Sequence, residues 1–200
     1  MCIRDREEDL VDYMIANIGV GDVVTAGAWC GDLLPALSHV CRGTVWAFEP
    51  NLENWQCATI TVRLNELGNV QLYHAALGAT VGFGTLITHD DRGLGLGGAS
   101  MLTDSRYTDL EPLKSSWRKE QTPMVTIDAT VPSDSVVSIV QLDVESYEEP
   151  VLLGGLETVR RCSPIIIVEE SIGVDWWAEH APGYHAIPGV GGFNSVFRRD

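Results

Sequence analysis

Two glycines and one glutamate give the first indication of chemistry in this sequence. Gly27 and Gly31 follow the apolar run 22–27, and Glu49 ends a second apolar run 22 residues after Gly27. A glycine turn lets the backbone approach a ligand closely, because glycine has no Cβ. A carboxylate about 20 residues after such a turn accepts hydrogen bonds from the two ribose hydroxyls. The pairing predicts a nucleoside-containing cofactor, although glycine turns also follow strands that bind nothing.

The glycine spacing separates one class of cofactor from another. A dinucleotide requires Gly-x-Gly-x-x-Gly, so that its pyrophosphate can lie on a helix N-terminus. Here the bulky Trp29 stands in place of the middle glycine, and the chain has no P-loop lysine. A cofactor with a ribose and no phosphate fits better, and S-adenosylmethionine is such a cofactor. An NAD-dependent oxidoreductase stays open as an alternative.

Acidic residues follow two later apolar runs. Asp143 and Glu145 come directly after the run 136–142, and Glu169 follows the run 165–168. Ligands of open α/β sheets bind at the carboxyl ends of the strands, so these carboxylates are predicted to face the ligand cleft.

Asp143 and Glu145 are two residues apart at a strand end, so both can face the same cleft. Capping of the following helix is the alternative role for both residues. A divalent cation on Asp143, Glu145 and Glu169 is a further alternative, but we predict that the protein holds no metal.

The elements that position these residues alternate between strands and helices. The first half contains predicted strands at 22–27, 44–49 and 70–77 and helices at 33–40 and 52–67. The second half contains predicted strands at 136–142 and 165–168, a helix at 148–161, and a hairpin of 184–187 with 194–198. This order is typical of an α/β protein with a Rossmann-like, doubly wound, mostly parallel sheet.

The middle of the chain interrupts this order. Residues 78–121 are predicted to form a variable insertion, with a strand at 84–89, a loop at 90–98 and a weakly helical polar segment at 104–121. A further strand is predicted at 124–127. The glycine content of the loop 90–98 suits a lid over the acceptor.

Composition limits the partners of the protein. Thirteen Lys and Arg residues against 28 Asp and Glu residues give a net charge of −15. Nucleic acids and anionic membranes require basic surfaces, so we predict neither as a partner and expect a small-molecule or saccharide substrate. The five cysteines form no CxxC pair, and no apolar run is long enough to span a bilayer. We predict a single cytoplasmic domain over residues 1–200, with residues 1–9 disordered.

Several stretches of the sequence resemble the FkbM-type methyltransferases, which belong to the class I S-adenosylmethionine-dependent methyltransferases. The resemblance runs in order from residue 22 to residue 198. The segments Phe-Glu-Pro and Asp-Val-Glu-x-Tyr-Glu are its most specific parts. The stretches that carry it are 24–31, 47–51, 64–70, 75–78, 97–100, 125–128, 142–148, 151–154 and 165–169.

The resemblance implies a seven-stranded sheet with an antiparallel C-terminal strand, and methyl transfer to oxygen, often a hydroxyl of a sugar or natural product. It also implies roles for individual residues. Gly27, Ala28 and Gly31 would cradle the methionine part of the cofactor, and Glu49 would hold the ribose. Adenine would lie against Pro50, Asn51, Ala75 and Ala76, and the methionine amine and the acceptor would lie near Asp143 and Glu145. A hydroxyl acceptor needs a base, and our hypothesis assigns Glu145 as that base and Asp143 as the contact to the methionine amine.

Two residues depart from the pattern of the family. Thr25 stands where an acidic residue is usual, so the contact that we assign it with the cofactor ammonium is weakened by about 1–2 kcal/mol. Ser146 stands where glycine is usual, and a positive φ there would strain the serine. A module that binds the cofactor without catalysing a reaction is therefore a second alternative.

Overall fold

The computed structural model of the protein describes residues 3–103, 116–169, 171–189 and 194–200. In the first half of the chain the elements are α1 (Ile3–Asn17), β1 (Asp22–Ala26), α2 (Leu34–Val40), β2 (Val45–Phe48), α3 (Leu52–Leu64), β3 (Val70–Tyr73), β4 (Ala76–Leu77), β5 (Gly82–His89), a 3-10 turn (Gly97–Ala99) and β6 (Met101–Leu102). The second half contains β7 (Arg118–Val125), α4 (Ile127–Thr130), β8 (Val137–Leu142), α5 (Glu148–Leu153), α6 (Leu156–Cys162), β9 (Ile165–Val168), α7 (Val174–His180), β10 (Tyr184–Ala186) and β11 (Ser195–Arg199).

Seven strands form the main sheet in the order β10-β11-β9-β8-β1-β2-β3. The strands β3, β2, β1, β8 and β9 pair in parallel, whereas β11 is antiparallel to both β9 and β10. This arrangement confirms the predicted Rossmann-like α/β sheet and its antiparallel C-terminal strand. The order of the strands reverses between β1 and β8, which is the place where such sheets bind ligands.

The central strands of the main sheet are buried on both faces. Val24 and Val140 belong to the hydrophobic cluster on one face, and Val23 and Ile139 belong to the cluster on the other. All four side chains are fully buried. A strand that is covered on both faces consists mostly of apolar residues, which is why these strands were predictable from sequence.

A second, four-stranded sheet has the order β4-β7-β5-β6. The predicted strand 70–77 is wrong as one element, because β3 ends at Tyr73 and β4 pairs in parallel with β7 in this second sheet. The Glu49 N–H still donates to the Tyr73 carbonyl at 3.1 Å, and the chain then leaves the main sheet.

The insertion also differs from its predicted structure. The helix predicted at 104–121 is wrong where it overlaps β7, which pairs antiparallel with β5, and residues 104–115 lie outside the described part of the chain. The strand predicted at 124–127 already ends at Val125. The strand predicted at 84–89 corresponds to β5.

Two predicted helices have different boundaries in the structure. The predicted helix 148–161 is two helices, α5 and α6, that are separated at Gly154 and Gly155. The chain bends there because Gly154 lies against Gly78, and a Cβ on Gly154 would be 2.0 Å from the Gly78 carbonyl oxygen. Helix α3 ends at Leu64 rather than at residue 67.

The first helix, α1, includes residues 3–9, for which the sequence analysis predicted disorder. Leu10, Met14 and Ile18 recur at a four-residue spacing and are buried in the hydrophobic cluster of one sheet face. This apolar stripe gives the helix a face to pack. Within the described residues, none of the helices has both the length and the hydropathy that crossing a bilayer requires.

Candidate functional site

The site forms where the strand order reverses, at the carboxyl ends of β1 and β8. Gly27 follows β1, and Asp143 follows β8 and donates its backbone N–H to the Ala26 carbonyl at 3.0 Å. Gly27 has a φ of 78°. A Cβ on this residue would lie 1.8 Å from the Asp143 carbonyl oxygen, so only glycine fits. The glycine thus lets the ends of β1 and β8 pack closely together.

The turn that follows Gly27 is held against the end of β2. The N–H groups of Gly27 and Ala28 both donate to the Phe48 carbonyl at 3.1 Å. Trp29 has a φ of 46°, which is unusual for a bulky residue and turns its N–H toward the Glu49 carboxylate. That N–H donates to Glu49 Oε2 at 2.8 Å. The glutamate and the glycine turn thus meet in space.

The carboxylate of Glu49 is only 4% exposed and is ordered by several hydrogen bonds. Its Oε1 accepts from the Asn51 N–H at 2.8 Å and from the Asn54 amide at 3.4 Å. Burial raises the pKa of Glu49 to about 7, although these donors and Trp29 N–H favour the ionised form. A buried carboxylate that can accept further hydrogen bonds is suited to bind the hydroxyl groups of a ligand.

One cavity beside Glu49 is largely apolar; we call it the apolar cavity. Its walls come from both sheets. The main sheet and the loops after its strands contribute Phe48, Pro50, Ala75, Val144 and Tyr147, and the second sheet contributes Ala76, Leu77, Leu86 and Leu102. Glu49 lies at its polar end.

An adjoining cavity is lined mainly by polar groups; we call it the polar cavity. It shares Gly27, Glu49, Gly98 and Asp143 with the apolar cavity, so the two cavities meet around these residues. Its remaining lining residues are Trp29, Glu145 and Glu169. A ligand with an apolar end and a charged end would fit across both cavities.

Three carboxyl groups converge in the polar cavity. Asp143, Glu145 and Glu169 each place one carboxylate oxygen within 4.8 Å of the others. Although Asp143 opens to solvent on one side, burial of the rest of the group and then the Glu169 charge raise its pKa well above the usual range. No Lys, Arg or His is among the described residues that line the cavity. The cavity therefore favours positive charge.

The backbone after Asp143 is strained. Glu145 has a φ of 53° and Ser146 a φ of 67°, both in the left-handed region. A non-glycine residue there costs roughly 1–2 kcal/mol. Ser146, which stands where glycine is usual in the family, is therefore strained, as predicted from the sequence.

The structure brings some of the predicted site residues together and leaves others apart. The residues that line at least one cavity are Gly27, Glu49, Pro50, Ala75, Ala76, Asp143 and Glu145. Thr25, Ala28, Gly31 and Asn51 line neither cavity. The Thr25 hydroxyl is buried and donates to the Gln141 side chain, whereas Asn51 caps α3 and donates to the Ser100 hydroxyl at 2.8 Å. Thr25 is thus not positioned to contact a ligand.

Several lining residues were not among the predicted site residues. Leu86, Leu102, Ser100 and Tyr147 line the apolar cavity, and Gly98 lines both. Four of these five, all except Tyr147, come from the insertion between β4 and β7, where no strand-end rule applies. Gly98, Ser100 and Tyr147 lie in stretches that resemble the family, which is the signal that could have found them.

Comparison with known proteins gave one family and several similar folds. The family described as Methyltransferase FkbM domain matches residues 15–181. The crystal structure of a methyltransferase FkbM from Methylobacillus flagellatus KT has a TM-score of 0.60 and 14% identity, and the match covers 90% of this chain and 43% of that one. A ribosomal protein L11 methylase from Lactobacillus delbrueckii subsp. bulgaricus has a TM-score of 0.55 and 11% identity, with 100% and 81% covered. No curated protein sequence matches the chain significantly.

The structural matches support the fold, and the family match identifies the chain. This chain spans less than half the length of the FkbM methyltransferase from Methylobacillus flagellatus. The family match, in contrast, covers most of the chain and includes Gly27, Glu49, Asp143 and Glu145. The chain belongs to the FkbM methyltransferase family.

Proposed function

We propose that this domain transfers a methyl group from S-adenosylmethionine to a hydroxyl of a saccharide or another small molecule. The single observation that carries the proposal is the buried Glu49 carboxylate beside the Gly27 turn, at the junction of the two cavities. The apolar cavity suits adenine and the polar cavity suits the methionine ammonium.

The residues present fit this cofactor. Glu49 would accept hydrogen bonds from the ribose hydroxyls, and Pro50, Ala75 and Ala76 would contact the adenine ring. Gly27 lines both cavities and would contact the methionine part through its backbone, while the Asp143 carbonyl oxygen fills the side on which a Cβ would lie. Asp143 would pair with the methionine ammonium, which would favour the ionised form of its carboxyl group.

In this reaction the protein has to align the methyl donor with the acceptor and to remove a proton from the acceptor. When bound, S-adenosylmethionine supplies a methyl group on a positive sulfur, which keeps the carbon–sulfur electron pair when the methyl group leaves. The cavity walls would hold the acceptor oxygen in line with that bond, which lowers the barrier through proximity. Glu145 would take the hydroxyl proton as the new oxygen–carbon bond forms.

The first experiment tests the cofactor. Calorimetry with S-adenosylhomocysteine and with NAD separates a methyltransferase from an oxidoreductase, because the latter would bind NAD. Transfer of labelled methyl from S-adenosylmethionine to a panel of sugars and alcohols then separates an enzyme from a module that only binds. Binding of NAD in preference to S-adenosylhomocysteine would contradict the proposal.

The second experiment tests the base. For Glu145→Gln we expect kcat to fall by about 10²–10⁴-fold, while the affinity for S-adenosylhomocysteine stays within about threefold, because only proton removal is lost. Glu157→Gln, at an exposed position at the start of α6, is the matched control and should change neither quantity. Unchanged turnover in Glu145→Gln would eliminate this residue as the base.

The same assay tests the prediction that no metal takes part. We expect turnover to be unaffected by a chelator, because Asp143 and Glu145 are assigned to the cofactor amine and to the hydroxyl proton. Loss of turnover with the chelator and recovery on adding Mg²⁺ would instead assign the three carboxylates to a cation.

A further inference from the structure

The polar cavity contains an aromatic side chain as well as carboxylates. Trp29 is 46% exposed and lines the cavity. The indole lies beside the insertion, because a Cβ on Gly98 would be 3.6 Å from its ring and a Cβ on Gly97 would be 3.8 Å from its ring nitrogen. The ring is thereby held between the glycine turn and the loop. Aromatic faces attract cations, and tryptophan attracts them most strongly.

The polar cavity contains more carboxyl groups than the cofactor can pair. Glu49, Asp143, Glu145 and Glu169 all line it, and no described lining residue is basic. S-adenosylmethionine carries an ammonium, a sulfonium and a carboxylate, so its net charge is a single positive one. With the cofactor bound, the cavity still repels anions and still favours a second positive group.

The sheet order assigns one carboxylate to the acceptor side. Asp143 follows β8, which is adjacent to β1 and the Gly27 turn, whereas Glu169 follows β9, one strand further away. Neighbouring strands lie about 4.8 Å apart, so Glu169 is about two strand spacings from the turn that would hold the methionine. Glu169 nevertheless shares the polar cavity with Asp143 and Glu145, and one carboxylate oxygen of each lies within 4.8 Å of the others.

We propose that the methyl acceptor carries a positively charged nitrogen near its reactive hydroxyl, as a protonated amino sugar or amino alcohol does, with Glu169 and Trp29 holding that nitrogen. This inference rests on the proposed function and narrows its substrate class. Glu145 remains the base that takes the proton of the acceptor hydroxyl. Acceptors with a carboxylate or phosphate in the same place are excluded by the charge of the cavity.

The test compares probes of similar shape and different charge. Glucosamine, N-acetylglucosamine and glucuronate are titrated by ligand-observed NMR into the full chain saturated with S-adenosylhomocysteine, in the presence of a chelator. We expect glucosamine to bind about tenfold more tightly than its N-acetyl counterpart, and glucuronate to bind more weakly than either. Among the probes that accept a methyl group, we expect the rate of methyl transfer to follow the same order as the affinity.

Variants assign the preference to the two residues. Glu169→Gln and Trp29→Leu should each reduce the preference for glucosamine to about twofold or less, because each removes one attraction for the cation. Trp29→Phe should keep most of the preference, since it keeps an aromatic ring. Glu157→Gln, outside the cavity, should leave it unchanged.

The outcomes separate this inference from the function on which it rests. If S-adenosylhomocysteine fails to bind, the proposed function fails. If it binds but glucosamine shows no advantage over the neutral probe, or shows no binding, only the charge preference is overturned. Mg²⁺ that binds without the chelator and displaces glucosamine would also overturn it, because the carboxylates would then form a metal site.

Discussion

At the scale of single residues, Gly27 is the position where the site tolerates least change. For Gly27→Ala we expect a loss of roughly 2–4 kcal/mol in the free energy of unfolding and about 100-fold weaker binding of S-adenosylhomocysteine, because the new Cβ displaces the Asp143 backbone. Gly93→Ala is the matched control, since Gly93 has the same φ of 78° and nothing within 4 Å of the new Cβ. The control should cost only about 1 kcal/mol and leave binding intact. Equal effects of the two substitutions in denaturant unfolding and calorimetry would contradict the close approach at Gly27.

Glu49 couples stability to pH. Its pKa rises from 4.5 in the unfolded chain to about 7 in the folded one. The folded protein therefore holds this proton more tightly, and the stabilisation that this provides is lost as pH rises from about 4.5 to about 7. We expect the free energy of unfolding to fall by about 3 kcal/mol over this range because of Glu49. In Glu49→Gln that contribution should be absent, which urea unfolding at several pH values would reveal. If the free energy of unfolding depended on pH in the same way in Glu49→Gln and in the unsubstituted protein, this coupling would be contradicted.

The same carboxylate should make cofactor binding depend on pH in the opposite direction. Ribose hydroxyls donate to the ionised form, so the affinity for S-adenosylhomocysteine should rise as pH increases through about 7. Calorimetry in buffers of different ionisation enthalpy would also detect the proton released on binding. In Glu49→Gln the affinity should be lower by about tenfold or more, and the part of the pH dependence that comes from Glu49 should disappear, while that of Asp143 remains.

At the scale of elements, the second sheet is part of the cofactor site. Leu102 on β6 lines the apolar cavity, whereas Leu37 on α2 packs in the cluster on the other face of the main sheet. Both are almost fully buried, so each substitution by alanine should cost roughly 2–5 kcal/mol of stability. Only Leu102→Ala should also weaken S-adenosylhomocysteine binding, by about tenfold, at a temperature where both variants are folded. Equal affinities would show that the second sheet does not contact the cofactor.

At the scale of the whole molecule, the net charge of −15 restricts the acceptors. We expect no saturable binding of single-stranded RNA at about 0.1 M salt, since phosphate chains need basic surfaces that release counterions. Fluorescence anisotropy with a labelled oligonucleotide checks this, with a basic RNA-binding protein as the positive control. Saturable binding that weakens with added salt would show that a nucleic acid belongs among the acceptors.

The sequence by itself determined the main sheet and the residues at its strand ends. The runs that became β1, β8 and β9 are mostly apolar because both of their faces are covered, so they were visible without coordinates. Gly27, Glu49 and Asp143 follow from those strands, since a parallel sheet brings the carboxyl ends of its strands to one edge.

Only the tertiary structure decided which of the predicted residues meet. Thr25 is drawn into a hydrogen bond with Gln141, a partner 116 residues away that no local pattern indicates. The division of 70–77 into two strands depends on β7, and the break between α5 and α6 depends on the distant Gly78. Leu86 and Leu102 line the apolar cavity because the second sheet forms part of its wall. These features arise from contacts between segments far apart in sequence, and a local pattern contains no information about such contacts.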